Sequence, residues 1–301
     1  MNLRDLRYLV AVADHRHFGR AAEACFVSQP TLSTQIKKLE GFLGVQLVER
    51  NHKQVMLTPV GSAIAERARQ IINQADDLVQ YAKAAADPLG GDLRLGFIPT
   101  SGPYLLPHLM PALGTQLPRL RPLLYEDQTA RLIERLQRGQ LDAGLMAVPV
   151  DVAGFDHVEV FAEPFVVALP PGHPLAVQER IALQDLAREK VLLLEEGHCL
   201  RDQALDICNR VGVREDEEFR ATSMETLRQM VSAGVGITLL PALAAEVYRA
   251  FDAQGRLELR PFSDEPPVRR MALYWRRSAA REQTLRAVAE VIAGLSAVKP
   301  A

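Results

Sequence analysis

The chain of 301 residues has only three cysteines, one tryptophan, 6% aromatic residues and a net charge of −2. Three cysteines cannot staple a small disulfide scaffold, and a chain this long can bury enough apolar surface without one. Length alone predicts two domains. No apolar run reaches the roughly 18–20 residues of a membrane span before Gly, Pro or a charge interrupts it. The start, Met1-Asn2-Leu3-Arg4-Asp5, lacks the apolar centre of a secretory signal. The expectation is a cytoplasmic protein with no membrane partner. Repeats and low-complexity tracts are missing too, and 48% hydrophobic with 24% charged residues describes an ordinary folded chain. The seven His and three Cys show no clustered ligand spacing, so neither a metal nor a cofactor is expected.

The small net charge hides an asymmetry. Residues 1–60 carry eight basic and five acidic residues, a surplus of three positive charges that leaves −5 for the remainder. Within this segment, Leu3, Leu6, Leu9, Val10 and Ala13 recur at helical spacing, and a second short helix is predicted over Gly19–Cys25. A third begins at Val27-Ser28-Gln29-Pro30-Thr31, with Ser28 placed to cap free N–H groups and Pro30 in the first turn. Leu32, Ile36, Leu39 and Leu43 form its apolar face, opposite Gln29, Thr31, Ser33, Thr34, Gln35, Lys37 and Lys38. This is a helix-turn-helix whose second helix suits the major groove. Gln29 and Gln35 are fitted to read adenine, whereas Ser28, Thr31 and Ser33 suit phosphate contacts. Alternating Val45, Leu47 and Val55, Leu57 predict a hairpin wing whose tip, Arg50-Asn51-His52-Lys53, offers Arg50 and Lys53 to phosphate.

From Thr58-Pro59 a long helix carries Ile64, Ala68, Ile71, Ile72, Ala75, Leu78, Val79 and Ala82 as a stripe that predicts a partner helix. Asp87-Pro88-Leu89-Gly90-Gly91 ends it and marks a hinge. The expected division is therefore residues 1–58, a winged helix-turn-helix; 59–90, a linker and dimerisation helix; and 91–301, an α/β regulatory domain of two lobes. In the last, strands at 93–97, 123–125 and 143–146 alternate with helices at 105–113 and 130–138. After Pro164, strands at 165–169, 191–194 and 236–240 build the second lobe, and 271–275 with a helix at 282–295 returns to the first. Ligands in such folds lie at strand ends, between lobes.

One motif in the second lobe carries chemistry. In Glu195-Glu196-Gly197-His198-Cys199-Leu200-Arg201-Asp202, Cys199 has His198 and Arg201 beside it and a predicted helix start, all of which favour a thiolate. Cys208 lies nine positions on. On one continuous helix the two would stand about 13.5 Å apart along the axis on opposite faces, whereas a disulfide needs Cα atoms within about 7 Å. Either the thiols are unrelated, or oxidation of Cys199 and capture by Cys208 drives a local refolding.

Phe18-Gly19-Arg20-Ala21-Ala22, Val27-Ser28-Gln29-Pro30-Thr31-Leu32-Ser33, Lys38-Leu39-Glu40, Leu43-Gly44-Val45 and Leu57-Thr58-Pro59 resemble the DNA-binding region of LysR-type transcriptional regulators. Gly197–Ala204, Cys208, Phe219–Ser223, Ile98-Pro99-Thr100, Gly102–His108 and Gln128-Thr129 resemble the sensing region of the family's hydrogen-peroxide-responsive members. The resemblance implies an α+β and α/β chain with a winged helix-turn-helix, a linker helix and a two-lobed, periplasmic-binding-protein-like regulatory domain. It implies Cys199 as peroxidatic and Cys208 as resolving thiol, a polar peroxide site of Thr100, Thr129 and His198, and a supporting charge at Arg270. It further implies a non-enzymatic activator of antioxidant genes that binds promoter DNA as a homotetramer. RNA polymerase and a disulfide reductant such as a glutaredoxin would be its partners. Two other functions remain compatible with the residues: a regulator responding to an organic metabolite, and a thiol peroxidase.

Overall fold

The computed structural model describes residues 1–51, 54–150, 152–212, 215–252 and 255–298. The chain divides into two compact units, Met1–Ala85 and Ala86–Ala301.

The first unit opens with α1 (Leu3–His15), started by a reciprocal cap between Asn2 and Asp5, followed by α2 (Phe18–Ala24) and α3 (Gln29–Leu43). Leu9, Val12, Ala21, Leu32, Ile36 and Leu39 from the three helices form a common core. The wing is an antiparallel pair, β1 (Val48–Asn51) and β2 (Gln54–Leu57), with Val48 opposite Leu57. Its first strand starts three residues later than the alternation at Val45 suggests. The Glu40 carboxylate accepts the N–H groups of Leu47 (2.8 Å) and Val48 (3.1 Å), which occupies the donors just before β1 and anchors the wing to α3.

The long helix α4 (Pro59–Ala86) follows. Thr58 Oγ1 accepts from Gly61 N–H at 2.8 Å and donates to Gln46 O at 2.8 Å, so one hydroxyl both starts the helix and fastens it to the wing. Arg69 pairs with Asp14 at 2.8 Å and Arg7 with Asp76 at 3.0 Å, aligning α4 against α1. The apolar stripe is split. Ala65 and Ala68 are buried and Ile64 packs on the unit's own core, so this part of the stripe is covered without the expected partner helix. From Ile71 onward it is largely open: Ile71, Leu78 and Val79 are 43, 71 and 51% exposed, while Ile72 and Ala75 are half-buried.

The second unit starts with β3 (Gly91–Phe97), α5 (Gly102–Gln116), β4 (Leu120–Glu126), α6 (Thr129–Gln137) and β5 (Ala143–Ala147), with β3 parallel to both β4 and β5. Next comes β6 (Phe155–Leu169), ten residues longer at its start than expected. Asp156, His157 and Glu159 break the apolar run in its first half, which hides the strand from a reading based on continuous hydrophobicity. The chain continues through β7 (Val191–Leu194), α7 (Cys199–Asn209), β8 (Glu215–Ala221), α8 (Met224–Ser232), β9 (Thr238–Pro241), α9 (Ala242–Phe251) and β10 (Glu258–Pro261). It closes with β11 (Val268–Arg276) and α10 (Glu282–Ala293).

Sheet order explains the two lobes. The first half of β6 pairs with β11, which also pairs with β5, completing the first lobe's sheet. Its second half pairs with β9 and β10 in the second lobe. One strand therefore belongs to both sheets, and Pro164 marks where it passes from one to the other. No helix among the described residues is long and apolar enough to cross a membrane.

A close approach in the first unit gives a stability test. A Cβ on Gly61 would lie 2.0 Å from Leu47 O, whereas one on Gly41 in α3 would meet nothing within 4 Å. Gly61→Ala should destabilise by about 1–3 kcal/mol through forced displacement of the wing. Gly41→Ala should stabilise by up to about 1 kcal/mol through helix propensity. Denaturant unfolding of the two variants checks the opposite signs.

Candidate functional site

The face of the first unit expected to meet DNA is built by α3. Ser28 Oγ accepts from Thr31 N–H at 3.3 Å and shares a 2.8 Å hydrogen bond with the Thr31 hydroxyl, capping the helix as expected. Pro30 sits in the first turn. Gln29, Pro30, Thr31, Thr34, Lys37 and Lys38 are exposed, while Ser33 and Gln35 are half-buried. Thr34 is turned back on its own helix, donating to Pro30 O at 2.9 Å. Arg50 falls in β1. Its side chain, like the whole of Lys53, lies outside the described residues.

The second site forms where helix α7 begins. Cys199 is its first residue, and His198, in extended conformation, precedes it as a buried N-cap whose side chain makes no capping hydrogen bond. Gly197 adopts φ +95°, and a Cβ there would meet Gln128 Oε1 at 2.6 Å. Glycine thus serves twice, turning the chain into α7 and admitting the residue that caps α6. This approach brings Thr129, the first residue of α6, to the Cys199 thiol. Thr129 Oγ1 is buried with no hydrogen-bond partner to the neutral site, and at its position it favours the ionised sulfur.

Of the two arginines on β11, it is Arg269 and not the expected Arg270 that faces the interior. Neighbouring residues of a strand face opposite ways, and Arg270 points outward, 59% exposed and paired with Glu159 at 3.2 Å. Arg269 points inward and is 1% exposed. Its Nε donates to Glu163 Oε1 (2.7 Å), its Nη1 to Thr100 Oγ1 (3.1 Å) and its Nη2 to Thr100 O (2.9 Å). Thr100, expected to shape the site, is held there by both of its oxygens. Glu163 lies directly opposite Arg269 in the pairing of β6 with β11, and its other oxygen accepts Leu243 N–H (3.0 Å) at the start of α9. A signal for Arg269 was present in the sequence: counting back by twos from the apolar Met271 and Leu273 places it on the inward face of β11. Glu163 offered none.

The electrostatics also depart from expectation. Burial pushes the Cys199 thiol up, and it outweighs the downward influences of Arg269, the Thr129 hydroxyl and the Leu200 backbone N–H; Asp202 pushes up as well. Burial thus works against the thiolate here, and Arg269 and Thr129 work for it. Arg201 lies two residues on, about 200° around the helix, and is buried on the other side of α7, with Asp202 at 3.9 Å. His198 and Arg201 flank Cys199 in sequence, but the opposing charge comes from β11. Cys208 is 2% exposed in the lobe's core, and burial pushes its thiol up to about 11. Both are free thiols, at the first and tenth positions of one unbroken helix. Cys25 is also free and half-buried, with its thiol pushed up by burial. Its neighbour Phe26 gives it no cover, being 97% exposed at φ +56°.

Two family models cover the chain: the bacterial regulatory helix-turn-helix protein, lysR family, over residues 3–62, and the LysR substrate binding domain over residues 86–296. The chain belongs to the LysR family. A "Hydrogen peroxide-inducible genes activator" of Pectobacterium carotovorum subsp. carotovorum is 48% identical over 276 residues, covering 92% of this chain and 90% of that one. The "DNA-binding transcriptional dual regulator OxyR" of Escherichia coli K12 is 46% identical over 292 residues, covering 97% and 95%. Among solved structures, the full-length OxyR C199D of Pseudomonas aeruginosa superposes with a TM-score of 0.80 at 40% identity, covering 99% of this chain and 100% of that one.

Burial of the Cys208 thiol predicts a pH effect on stability. Folded Cys208 ionises near 11, while the unfolded thiol ionises near its ordinary value of about 9. Between these values the folded state holds the extra proton, so stability is full below about pH 9 and falls as pH rises toward 11. The loss should approach about 2–3 kcal/mol. Comparing denaturant midpoints of the wild type and Cys208→Ala at pH 7.5 and 10.5 checks it: the alanine variant should lack this part of the alkaline loss.

Proposed function

We propose that the chain is a hydrogen-peroxide-sensing transcription regulator in which Cys199 reacts with peroxide and Cys208 resolves the product. The observation that carries this reading is the niche at the start of α7, where Cys199 feels the Thr129 hydroxyl and the charge of an Arg269 guanidinium fixed on Thr100. Peroxide needs donors and acceptors for two oxygens, which hydroxyls and a guanidinium supply and an apolar pocket does not. The Cys199 sulfur attacks one peroxide oxygen. The O–O bond breaks, and the leaving hydroxide takes the thiol's proton as water, so two electrons pass from sulfur to peroxide and Cys199 becomes a sulfenic acid. The Cys208 sulfur then attacks that sulfur; the S–S bond forms, the S–O bond breaks, and a second water leaves.

The second step demands movement. Both thiols belong to one helix, about 13.5 Å apart along its axis and on opposite faces. Bond formation must unwind α7 and draw Cys208 out of the core. This refolding is our proposed link to transcription: it changes the surfaces the regulatory domain offers and so the geometry with which paired α3 helices meet successive half-sites on promoter DNA. The open half of the α4 stripe supports dimerisation, and we extend the assembly to a dimer of dimers acting with RNA polymerase. A thiol reductant of the glutaredoxin class would reset the switch. Each molecule reacts once per reset, which separates a sensor from a turnover peroxidase.

Reduced protein treated with one equivalent of hydrogen peroxide, then alkylated and mapped by mass spectrometry beside DNA footprinting, tests the reading. We expect a Cys199–Cys208 bond together with an altered footprint, both absent in Cys199→Ser. Free thiols and an unchanged footprint would defeat it and turn attention to an organic ligand between the lobes. Steady peroxide consumption with reductant, without any change on DNA, would instead mark a peroxidase. On the DNA side, Gln29→Ala should cost about 1–3 kcal/mol at its base position and relax sequence preference there, measured by binding to single-base-pair variants of the footprinted site.

A further inference from the structure

We propose that Glu163 is a positioning residue for the thiol site, holding the Arg269 guanidinium and neutralising enough of its charge to restrain ionisation of Cys199. The inference rests on the reading of Cys199 as the reactive thiol. Its basis is geometric. Glu163 is 4% exposed, and each carboxylate oxygen has one partner: Oε1 takes Arg269 Nε at 2.7 Å, and Oε2 takes Leu243 N–H at 3.0 Å, at the second residue of α9. Pairing across β6 and β11 sets the two side chains face to face, and the two remaining Arg269 nitrogens are tied to Thr100. The guanidinium therefore cannot swing toward the sulfur without leaving either Glu163 or Thr100. A buried cation alone would act strongly on a nearby thiol, but one in contact with a carboxylate acts as a dipole whose field falls off faster with distance.

Other groups around the thiol leave this role to Glu163. Arg269 from β11, Thr129 from α6, and Asp202 with the Leu200 N–H from α7 act on Cys199 directly. His198 and Arg201 are its neighbours on α7. The Tyr104 hydroxyl of α5 feels the charges of Arg269, Glu126 and Glu225 and shares a 2.5 Å hydrogen bond with Tyr248 of α9. Glu163 is the carboxylate in contact with Arg269. Its neutral isostere, Glu163→Gln, keeps an oxygen for one of the two bonds and removes the countercharge.

The test uses full-length reduced protein and a pH series of iodoacetamide alkylation, resolved by mass spectrometry for each cysteine. In E163Q the Cys199 profile should move to lower pH, raising its alkylation at pH 7 by roughly three- to tenfold, while the Cys208 and Cys25 profiles stay in place. A Cys199 profile that is unchanged or moves to higher pH overturns the proposal. So does a faster reaction at Cys208 matching that at Cys199, because loosening of the lobe would then account for both. Should E163Q fail to fold, Glu163→Asp takes its place, keeping the charge but retracting it by one methylene. A smaller shift in the same direction is expected, and coincidence with wild type overturns the proposal. Alkylation needs no peroxide, so this result stands apart from whether Cys199 and Cys208 form a disulfide.

Discussion

The ion pair between Arg269 and Glu163 is the constraint on which the regulatory domain depends. A buried charge is tolerated only when paired and hydrogen-bonded, and removing one partner typically costs 3–5 kcal/mol. Here the pair joins β6, the strand shared by both lobes, to β11, and each partner spends its remaining hydrogen bonds on a different element: Arg269 on Thr100 before α5, Glu163 on the start of α9. Four parts of the domain therefore have to agree before either charge is satisfied. Such a network contributes less to net stability than to uniqueness, because an alternative packing would strand an ion in the core. Placing the thiol site beside it gives Cys199 a fixed electrostatic surrounding without any metal or cofactor having to supply it.

Much of this was legible in the sequence, and the remainder was hidden for identifiable reasons. The helix-turn-helix could be read because its signals are local: Ser28 as cap, Pro30 in the first turn, and a helical period in Leu32, Ile36 and Leu39. The start of α7 at Cys199 could be read for the same reason. The first half of β6 could not, because only Phe155 and Val160 are buried among the polar Asp156, His157 and Glu159, which looks like loop polarity until its partner β11 is known. Strand β8, Glu-Asp-Glu-Glu-Phe-Arg-Ala, has a composition that argues against a strand altogether, and pairing with β7 overrides it. Arg270 was taken for its neighbour because the face of a residue follows from register, and a shift of one position reverses it. The greater thiol acidity expected from nearby cations is outweighed by burial at Cys199: sequence shows which charges lie near, but not how much water burial removes.

These two thiols are restrained in different ways, and the difference orders the reaction. Cys199 is half-buried at a helix end, within reach of a cation and a hydroxyl. Cys208 is enclosed and ionises only near 11. In the proposed reaction a small oxidant meets Cys199 first, and Cys208 becomes available only when α7 opens. The helix is short, eleven residues, and Cys208 is the second-last of them, so unwinding from its C-terminal end releases that thiol while few backbone hydrogen bonds are lost.

The same packing sets how easily the proposed bond can be undone. Leu200, Ala204 and Ile207 lie on the buried side of α7. An oxidised form that uncovers one such large side chain gives up about 1.5–3 kcal/mol of burial. For a two-electron couple, 1.4 kcal/mol corresponds to about 30 mV, so each side chain left uncovered raises the reduction potential by roughly 30–60 mV. A disulfide formed against the native packing is thus more readily reduced than one that only staples a fold. The core that must be disrupted during oxidation is then also the force that drives the return, and recovery of the reduced fold follows from burial of Ile207 and Cys208 once the sulfurs part.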